Sequence, residues 1–292
     1  MKRYALFLGC TTPIQVLQYE ISSRWVCQHL GIELVNIDEF VCCGINQINL
    51  NQEAGLLLAA MNLALAEAKG LDILTLCAAC TGALAEAVEK LKDQNTRNRV
   101  NAELKAVGLE YMGKTAAKHI SRVLYDDVGI DVIRERVTKD VSKLRLAPHY
   151  GCHYLKPESA FDGLDVPDNP KTLHQLISAT GALPVQYETL NLCCGGKSFP
   201  ISQEIAFTLI QKKLDNIRGK KIDGMVVQCQ TCYLMYSDHQ KILNERFQKN
   251  DSIPVILYPQ LLGLAMGGDP INDLGFDLNG ISLEGLLAKV EK

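Results

Sequence analysis

The sequence lacks an apolar run long enough to cross a bilayer. Its longest, Gly55 to Ala66, is interrupted by Asn62 and falls well short of the roughly 20 residues a span requires, so no transmembrane helix is expected. Charge of one sign is also missing: 30 Lys plus Arg stand against 33 Asp plus Glu, a net charge of -3. Nucleic acid and anionic lipid therefore have no electrostatic footprint here. The first residues, MKRYALFLGC, imitate a secretory signal, but the apolar run Tyr4 to Leu8 is shorter than the roughly 7 to 15 residues of an h-region and reads as a buried first strand. There is no G-x-G-x-x-G for flavin or nicotinamide and no ferredoxin-type run of closely spaced cysteines, so electrons have no evident entry or exit site within the chain. With 47% hydrophobic and 22% charged residues over 292 positions, one large globular domain or two modest ones fit.

Cysteine is what the sequence has in excess. Eleven occur, and an odd number without a secretory signal argues against a disulfide framework and for a reducing, cytoplasmic setting in which thiolates bind metal or do redox chemistry. Their spacing repeats. Cys10 is followed by 31 residues, the adjacent pair Cys42 and Cys43, 33 more residues, and the couple Cys77 and Cys80. Cys152 is followed by 40 residues, the pair Cys193 and Cys194, 34 residues, and the couple Cys229 and Cys232. The two copies are offset by 142 at the leading cysteine, 151 at the pair and 152 at the couple; Gly9 and Gly151 precede the leading cysteines, and Gly44 and Gly195 follow the pairs. The chain therefore reads as a duplication, a first domain over 1–143 and a second over 144–292. Cys27 alone lies outside the pattern, as a small buried hydrophobe within a helix.

Short apolar runs at Tyr4 to Leu8, Ile73 to Leu76, Leu144 to Ala147 and Met225 to Val227 read as buried strands that end just before cysteines. After Cys10, Thr12, Pro13 and Gln15 form a helix-start signature, with Ile14, Leu17, Ile21 and Trp25 expected on its inner face. Asn169 and Pro170 open another helix that Gly181 closes. Ala83, Leu84, Ala87, Val88 and Leu91 have helical period and place Cys80 near a helix N-terminus, where the dipole favours thiolate. Strands alternating with helices predict an α/β fold with parallel sheets, and in such folds ligands gather outside the strand carboxyl ends. The cysteine-free, charged segment from Asp93 to Lys143 reads as helices beside the first half. Asp269, Asp273 and Asp277 in the tail fit no EF-hand spacing.

Two residues between cysteines let both thiolates face one centre, as in zinc knuckles, iron-sulfur sites and redox dithiols. Five soft ligands per set exceed the four of a structural zinc, and adjacent cysteines suit a cluster offering several irons better than one tetrahedral ion. Zinc or a mixed metal in one half, and metal-free dithiol chemistry, remain as alternatives.

With these residues the sequence resembles the duplicated CCG-domain proteins and, over nearly its whole length, the B subunit of heterodisulfide reductase. The matching residues are Gly9-Cys10, CCG at Cys42 to Gly44, LDILTLCAACTG from Leu71 to Gly82, APHYGCHYLKP from Ala147 to Pro157, CCGG at Cys193 to Gly196, and CQTC at Cys229 to Cys232. The resemblance implies two tandem Rossmann-like CCG domains with cysteine ligands at strand carboxyl ends. It implies two noncubane 4Fe–4S clusters, one on Cys10, Cys42, Cys43, Cys77 and Cys80, the other on Cys152, Cys193, Cys194, Cys229 and Cys232. It also implies two-electron cleavage or formation of a disulfide, and two partners, an iron-sulfur protein (the C subunit) and a flavoprotein (the A subunit). The sequence departs from methanogen members at Gly44, at Gln230 with Thr231, and at Tyr233, which keeps open the related sulfur-oxidising complexes that act on protein-bound sulfane sulfur. A non-catalytic electron-transfer subunit is the reading from another class. His149 and His153 flank Cys152, and Lys156 and Lys197 stand near the second set. His153, His149 and Lys197 are candidate catalytic residues, supplying a proton and positive charge on the substrate side of the second cluster. Tyr150 and Tyr154 read as packing residues.

Overall fold

The structure is a computed structural model that describes residues 2–161, 163–248 and 252–290. Each half carries a four-stranded sheet. The first contains β1 (Lys2–Phe7), β2 (Ile32–Asn36), β3 (Asp72–Thr75) and β4 (Ala117–His119) in the order β2-β1-β3-β4; the second contains β5 (Arg145–His149), β6 (Leu183–Pro184), β7 (Gly224–Val227) and β8 (Val255–Leu257) in the order β6-β5-β7-β8. All pairings are parallel. Parallel strands covered on both faces need near-continuous apolar sequence, which Tyr4 to Phe7 and Gly224 to Val227 provide. The α/β class, with its duplicated units, is as the sequence predicts.

In each half the strand order reverses at its first strand: the chain leaves β1 to one side for β2 and returns past it to β3, and leaves β5 for β6 and returns to β7. A crevice therefore opens outside the carboxyl ends of the central pair, the place where such sheets bind ligands. Cys10 and Cys77 follow β1 and β3; Cys152 and Cys229 follow β5 and β7. The helices are started alike. Asn51 caps Gln52–Ala68, its side chain accepting from the N–H groups of Glu53 and Ala54, and Ser202 caps Gln203–Arg218 through the N–H of Ile205.

Three sequence expectations change. The helix signature after Cys10 forms only Thr12–Gln15 before the main helix Leu17–His29 begins, and its inner face carries Val16, Tyr19, Val26 and Cys27, while Ile14 and Leu17 are exposed. The break at Val16 rotates the face away from the single-helix register. Thr12 does not cap the helix but donates its hydroxyl to Oε1 of Gln230, 2.8 Å away in the other half. The segment from Asp93 to Lys143 holds a strand as well as helices, because Ala117 to His119 adds to the edge of the first sheet beside β3. The helix expected after Asn169 starts later, at Thr172, where Asp165 accepts from the N–H groups of Lys171 and Thr172, and Gly181 follows its end at φ +95°.

The halves share a core. One apolar cluster joins Leu6, Tyr19 and Val26 of the first half to Leu146, Tyr236 and Leu261 of the second, while a second cluster lies on the outer face of the first sheet. Tyr19 donates its hydroxyl across the junction to the carbonyl of Gln228 at 3.1 Å.

Candidate metal centres

The repeat sets a repeated burial gradient. The leading cysteines Cys10 and Cys152 are exposed, Cys42 and Cys193 half-buried, and Cys43, Cys77, Cys80, Cys194, Cys229 and Cys232 buried. None is in a disulfide. The loops carrying the adjacent pairs are pressed onto the helix that follows: Gly44 at φ +84° lies against the backbone of Gly55, and Gly195 at φ +79° against that of Ala206. Positive φ and this close approach both exclude a Cβ, which is why glycine follows each pair. Cys77 caps the helix Ala78–Lys90, its Sγ accepting from the N–H of Cys80 at 3.3 Å; the Sγ of Cys193 accepts from the N–H of Gly195 at 3.3 Å.

Nine of the ten patterned sulfurs form one string. Neighbouring thiols influence one another along it: Cys42 and Cys43, Cys43 and Cys80, Cys80 and Cys77; Cys77 meets Cys229 of the other half, and the string continues through Cys232, Cys194 and Cys193 to Cys152. The Sγ atoms of Cys194 and Cys232 are 3.4 Å apart. Cys10 stands at the rim, its Sγ 3.8 Å from the Thr11 hydroxyl, on the wall of an open cleft of ≈ 430 Å³ that Cys42, Phe7, Arg24 and Asp38 also line.

Buried thiols in contact alternate between proton donor and acceptor. Cys43, accepting from Cys80, is pulled down to about 7; Cys193, accepting from Cys152 and Cys194, is pulled down to about 2; and Cys229, accepting from Cys232 and Cys77, lies well below its ordinary value. Their neighbours hold the protons: Cys194 is pushed up to about 12 by Cys193, and Cys80 and Cys232 are held well above the ordinary thiol value by Cys43 and Cys194. A thiolate-binding metal replaces those protons, so the clustered sulfurs have the donor chemistry of a soft-metal site; among the described residues, Cys194, Cys232 and His149 offer ligand atoms within 4.8 Å of one another.

The sequence of each half accounts for the match to the cysteine-rich CCG domain model, which covers residues 4–85 and again 146–237. Over 99% of this chain and 97% of the relative, the sequence is 35% identical to the B subunit of the ferredoxin/F(420)H(2)-dependent CoB-CoM heterodisulfide reductase of Methanosarcina acetivorans. The chain belongs to the family of heterodisulfide reductase B subunits. Within that family it is also 35% identical to a protein of Archaeoglobus profundus described as like the heterodisulfide reductase B subunit, over 92% of both chains. A more distant relative, 29% identical over 96% of this chain and 97% of its own, is the 8-methylmenaquinol:fumarate reductase membrane anchor subunit of Wolinella succinogenes. Among the described residues of the present heterodisulfide reductase relative, no helix is long and apolar enough to cross a membrane. Among solved structures, a hypothetical protein from Helicobacter pylori shares the fold at a TM-score of 0.74 and 15% identity, over 95% of this chain and 51% of that one.

The remaining sequence candidates fall in different places. His153, half-buried, packs its ring toward Gly82 of the first half and feels the charges of Lys197, Glu86, Cys229 and Cys193; burial and then Lys197 lower its pKa. Lys197 and Lys156 are exposed. His149 is buried at the end of β5, its Nδ1 accepting from Nζ of Lys213 at 3.0 Å, and burial followed by that ammonium holds it well below the usual histidine range. Tyr150 and Tyr154 are packed inside, bonded to His174 and Thr172. Cys27 is fully buried, its thiol pushed up to about 12 by desolvation. Sequence reasoning missed Lys213 and His119. A lysine amid the charged run of Gln203–Arg218 gives no sign of facing inward, although the position, counted across the repeat, matches the buried Asn62.

Proposed function

We propose that this chain is the disulfide-cleaving or disulfide-forming subunit of a heterodisulfide reductase-like complex. Iron-sulfur groups are held by Cys10, Cys42, Cys43, Cys77 and Cys80 in one half and by Cys152, Cys193, Cys194, Cys229 and Cys232 in the other. The observation that carries this reading is the Cys77–Cys229 contact, which sets the two five-cysteine sets side by side while leaving one exposed cysteine at each. Opening a disulfide takes two electrons and two protons, breaks one sulfur-sulfur bond and releases two thiols. The bound groups would supply electrons one at a time and a soft site for sulfur. His153, kept neutral by burial and by Lys197, holds a proton on a ring nitrogen for a departing thiolate, and Lys197 adds positive charge where thiolate develops. The ≈ 430 Å³ cleft beside Cys10 gives a small substrate room to approach the first set. Leu50 and Ile201 occupy matching repeat positions beside the cysteine pairs and are about nine-tenths exposed; they, with Ile14, are the surface offered to the iron-sulfur C subunit, and the flavoprotein A subunit completes the complex.

The Wolinella relative, whose name describes a quinol:fumarate reductase, favours a second reading in which the chain relays electrons without touching a disulfide. The deciding experiment supplies anaerobic protein with a chemical reductant and a disulfide. Two thiols released per two electrons consumed support cleavage, and His153→Asn with its iron intact then lowers turnover about 10²-fold or more. Electron uptake without thiol release supports the relay.

A further inference from the structure

Behind the second cysteine set lies a polar pair with no counterpart behind the first. Lys213 is fully buried on the helix Gln203–Arg218; its Nζ donates to the carbonyl of Leu190 at 2.8 Å and to Nδ1 of His149 at 3.0 Å, and lies 5.5 Å and 5.9 Å from the ring centroids of Tyr187 and Tyr236. In its charged form Lys213 has donors only, which makes Nδ1 the acceptor and leaves the imidazole proton on Nε2. That Nε2 is buried with no hydrogen-bond partner among the described residues. A ring nitrogen of His149 and the sulfurs of Cys194 and Cys232 all lie within 4.8 Å of one another. With Nδ1 taken by Lys213, Nε2–H is the ring donor left free for the neighbouring sulfurs, which become thiolates once a metal replaces their protons. Burial pulls the Lys213 ammonium down to about 7, and the sulfurs of Cys232, Cys194 and Cys193, negative once they hold a metal, act to raise it again.

The first half is built differently at the same two positions. Phe7, three residues before Cys10 as His149 is before Cys152, ends β1. Asn62 stands where the repeat places Lys213, and its amide is taken up by the N–H of Val41 and the carbonyls of Cys42 and Leu58. The first set thus has a phenyl ring and a neutral amide where the second has an imidazole N–H and a buried cation.

We propose that His149, positioned by Lys213, poises the second centre: the N–H donor and the buried charge stabilise its reduced, more negative form, so electrons settle in the second half before the first. This inference rests on both sets holding iron-sulfur groups. The duplicated site thereby becomes an ordered pair, with the electron reservoir on the Cys152 side and the lower-potential centre on the Cys10 side.

The test is a redox titration followed by electron paramagnetic resonance on anaerobic full-length protein, with iron content measured in parallel. The parent should show two midpoints. In His149→Phe, which copies Phe7, and in Lys213→Met, the higher midpoint should fall by at least a tenfold change in the oxidised-to-reduced ratio, about 59 mV for a one-electron couple, with the lower midpoint and the iron content unchanged; Lys213→Arg should restore it. A single shared midpoint, two midpoints that move together, or no movement overturns the proposal, as does loss of half the iron in His149→Phe, the mark of a ligand rather than a donor. Should a variant fail to fold, parent protein labelled with ¹⁵N-histidine gives the answer: weak nitrogen coupling at the centre reduced first is expected, and a directly bonded nitrogen or none at that centre overturns it. Protein devoid of iron overturns the preceding reading and this one with it, and the iron assay separates that failure from the rest.

Discussion

Replacing Gly195 by alanine isolates what the CCG turn contributes. A Cβ there would lie 2.8 Å from Cα of Ala206 and 3.1 Å from its Cβ and carbonyl oxygen, on a backbone at φ +79°. The left-handed conformation costs about 1–2 kcal/mol for a residue with a side chain. Forcing the loop off a helix backbone that cannot swing aside adds about 1–3 kcal/mol, for a total on the order of 2–5 kcal/mol. Gly70→Ala is the control, since it has φ +65° but nothing within 4 Å of its Cβ position, and only the first cost applies. Urea unfolding at constant m-value measures both, with iron per chain as a second readout, because the displaced loop carries Cys193 and Cys194. Gly195→Ala should be clearly less stable than Gly70→Ala and should lose metal from the second half. Equal stability of the two variants, with full metal in both, would refute the idea that close packing of the turn on Ala206 is what requires glycine.

Three further predictions concern groups outside the sulfur string or at its seam. Cys27→Ala should cost about 1–3 kcal/mol and leave metal content unchanged, and Cys27 should resist iodoacetamide in the folded protein because burial holds its thiol near 12; alkylation mapping by mass spectrometry checks this. Thr12→Val removes the donor to Gln230 and leaves a buried acceptor unpaired, which should lower stability by about 1–3 kcal/mol in urea titrations. His119, buried and lowered to about 4, stays neutral in the folded chain while an unfolded histidine protonates near 6.5. Its contribution is therefore complete above about pH 6.5, falls as pH drops from there to about 4, and is flat below, a loss on the order of 3 kcal/mol. His119→Gln should flatten that limb of the stability profile relative to the parent, and an unchanged slope would contradict the assignment.

The fold was legible where local pattern and tertiary role coincide. The apolar runs before Cys10, Cys77 and Cys229 became central strands because only strands buried on both faces carry such runs, and the glycines after the cysteine pairs marked turns that a Cβ would obstruct. The duplicated spacing alone assigned ten cysteines to two sets. Legibility ended where the halves meet. Nothing local in Thr12 or Tyr19 shows that they bond to Gln230 and Gln228, since those contacts cross more than 200 residues. The strand Ala117–His119 escaped notice because three residues at a sheet edge have no periodicity of their own, and Lys213 because a buried lysine has the same letter as a solvated one. The contact between Cys77 and Cys229 belongs to the same class: spacing gives two sets, and only the shared core brings them together.

The central claim is that both cysteine sets hold iron-sulfur groups, and the direct measurement is iron, acid-labile sulfide and zinc per chain in anaerobically purified protein. The account predicts about eight irons with matching sulfide and little zinc, two four-iron groups in one chain. About four irons with one zinc would make one half structural and contradict the paired-centre account of disulfide cleavage.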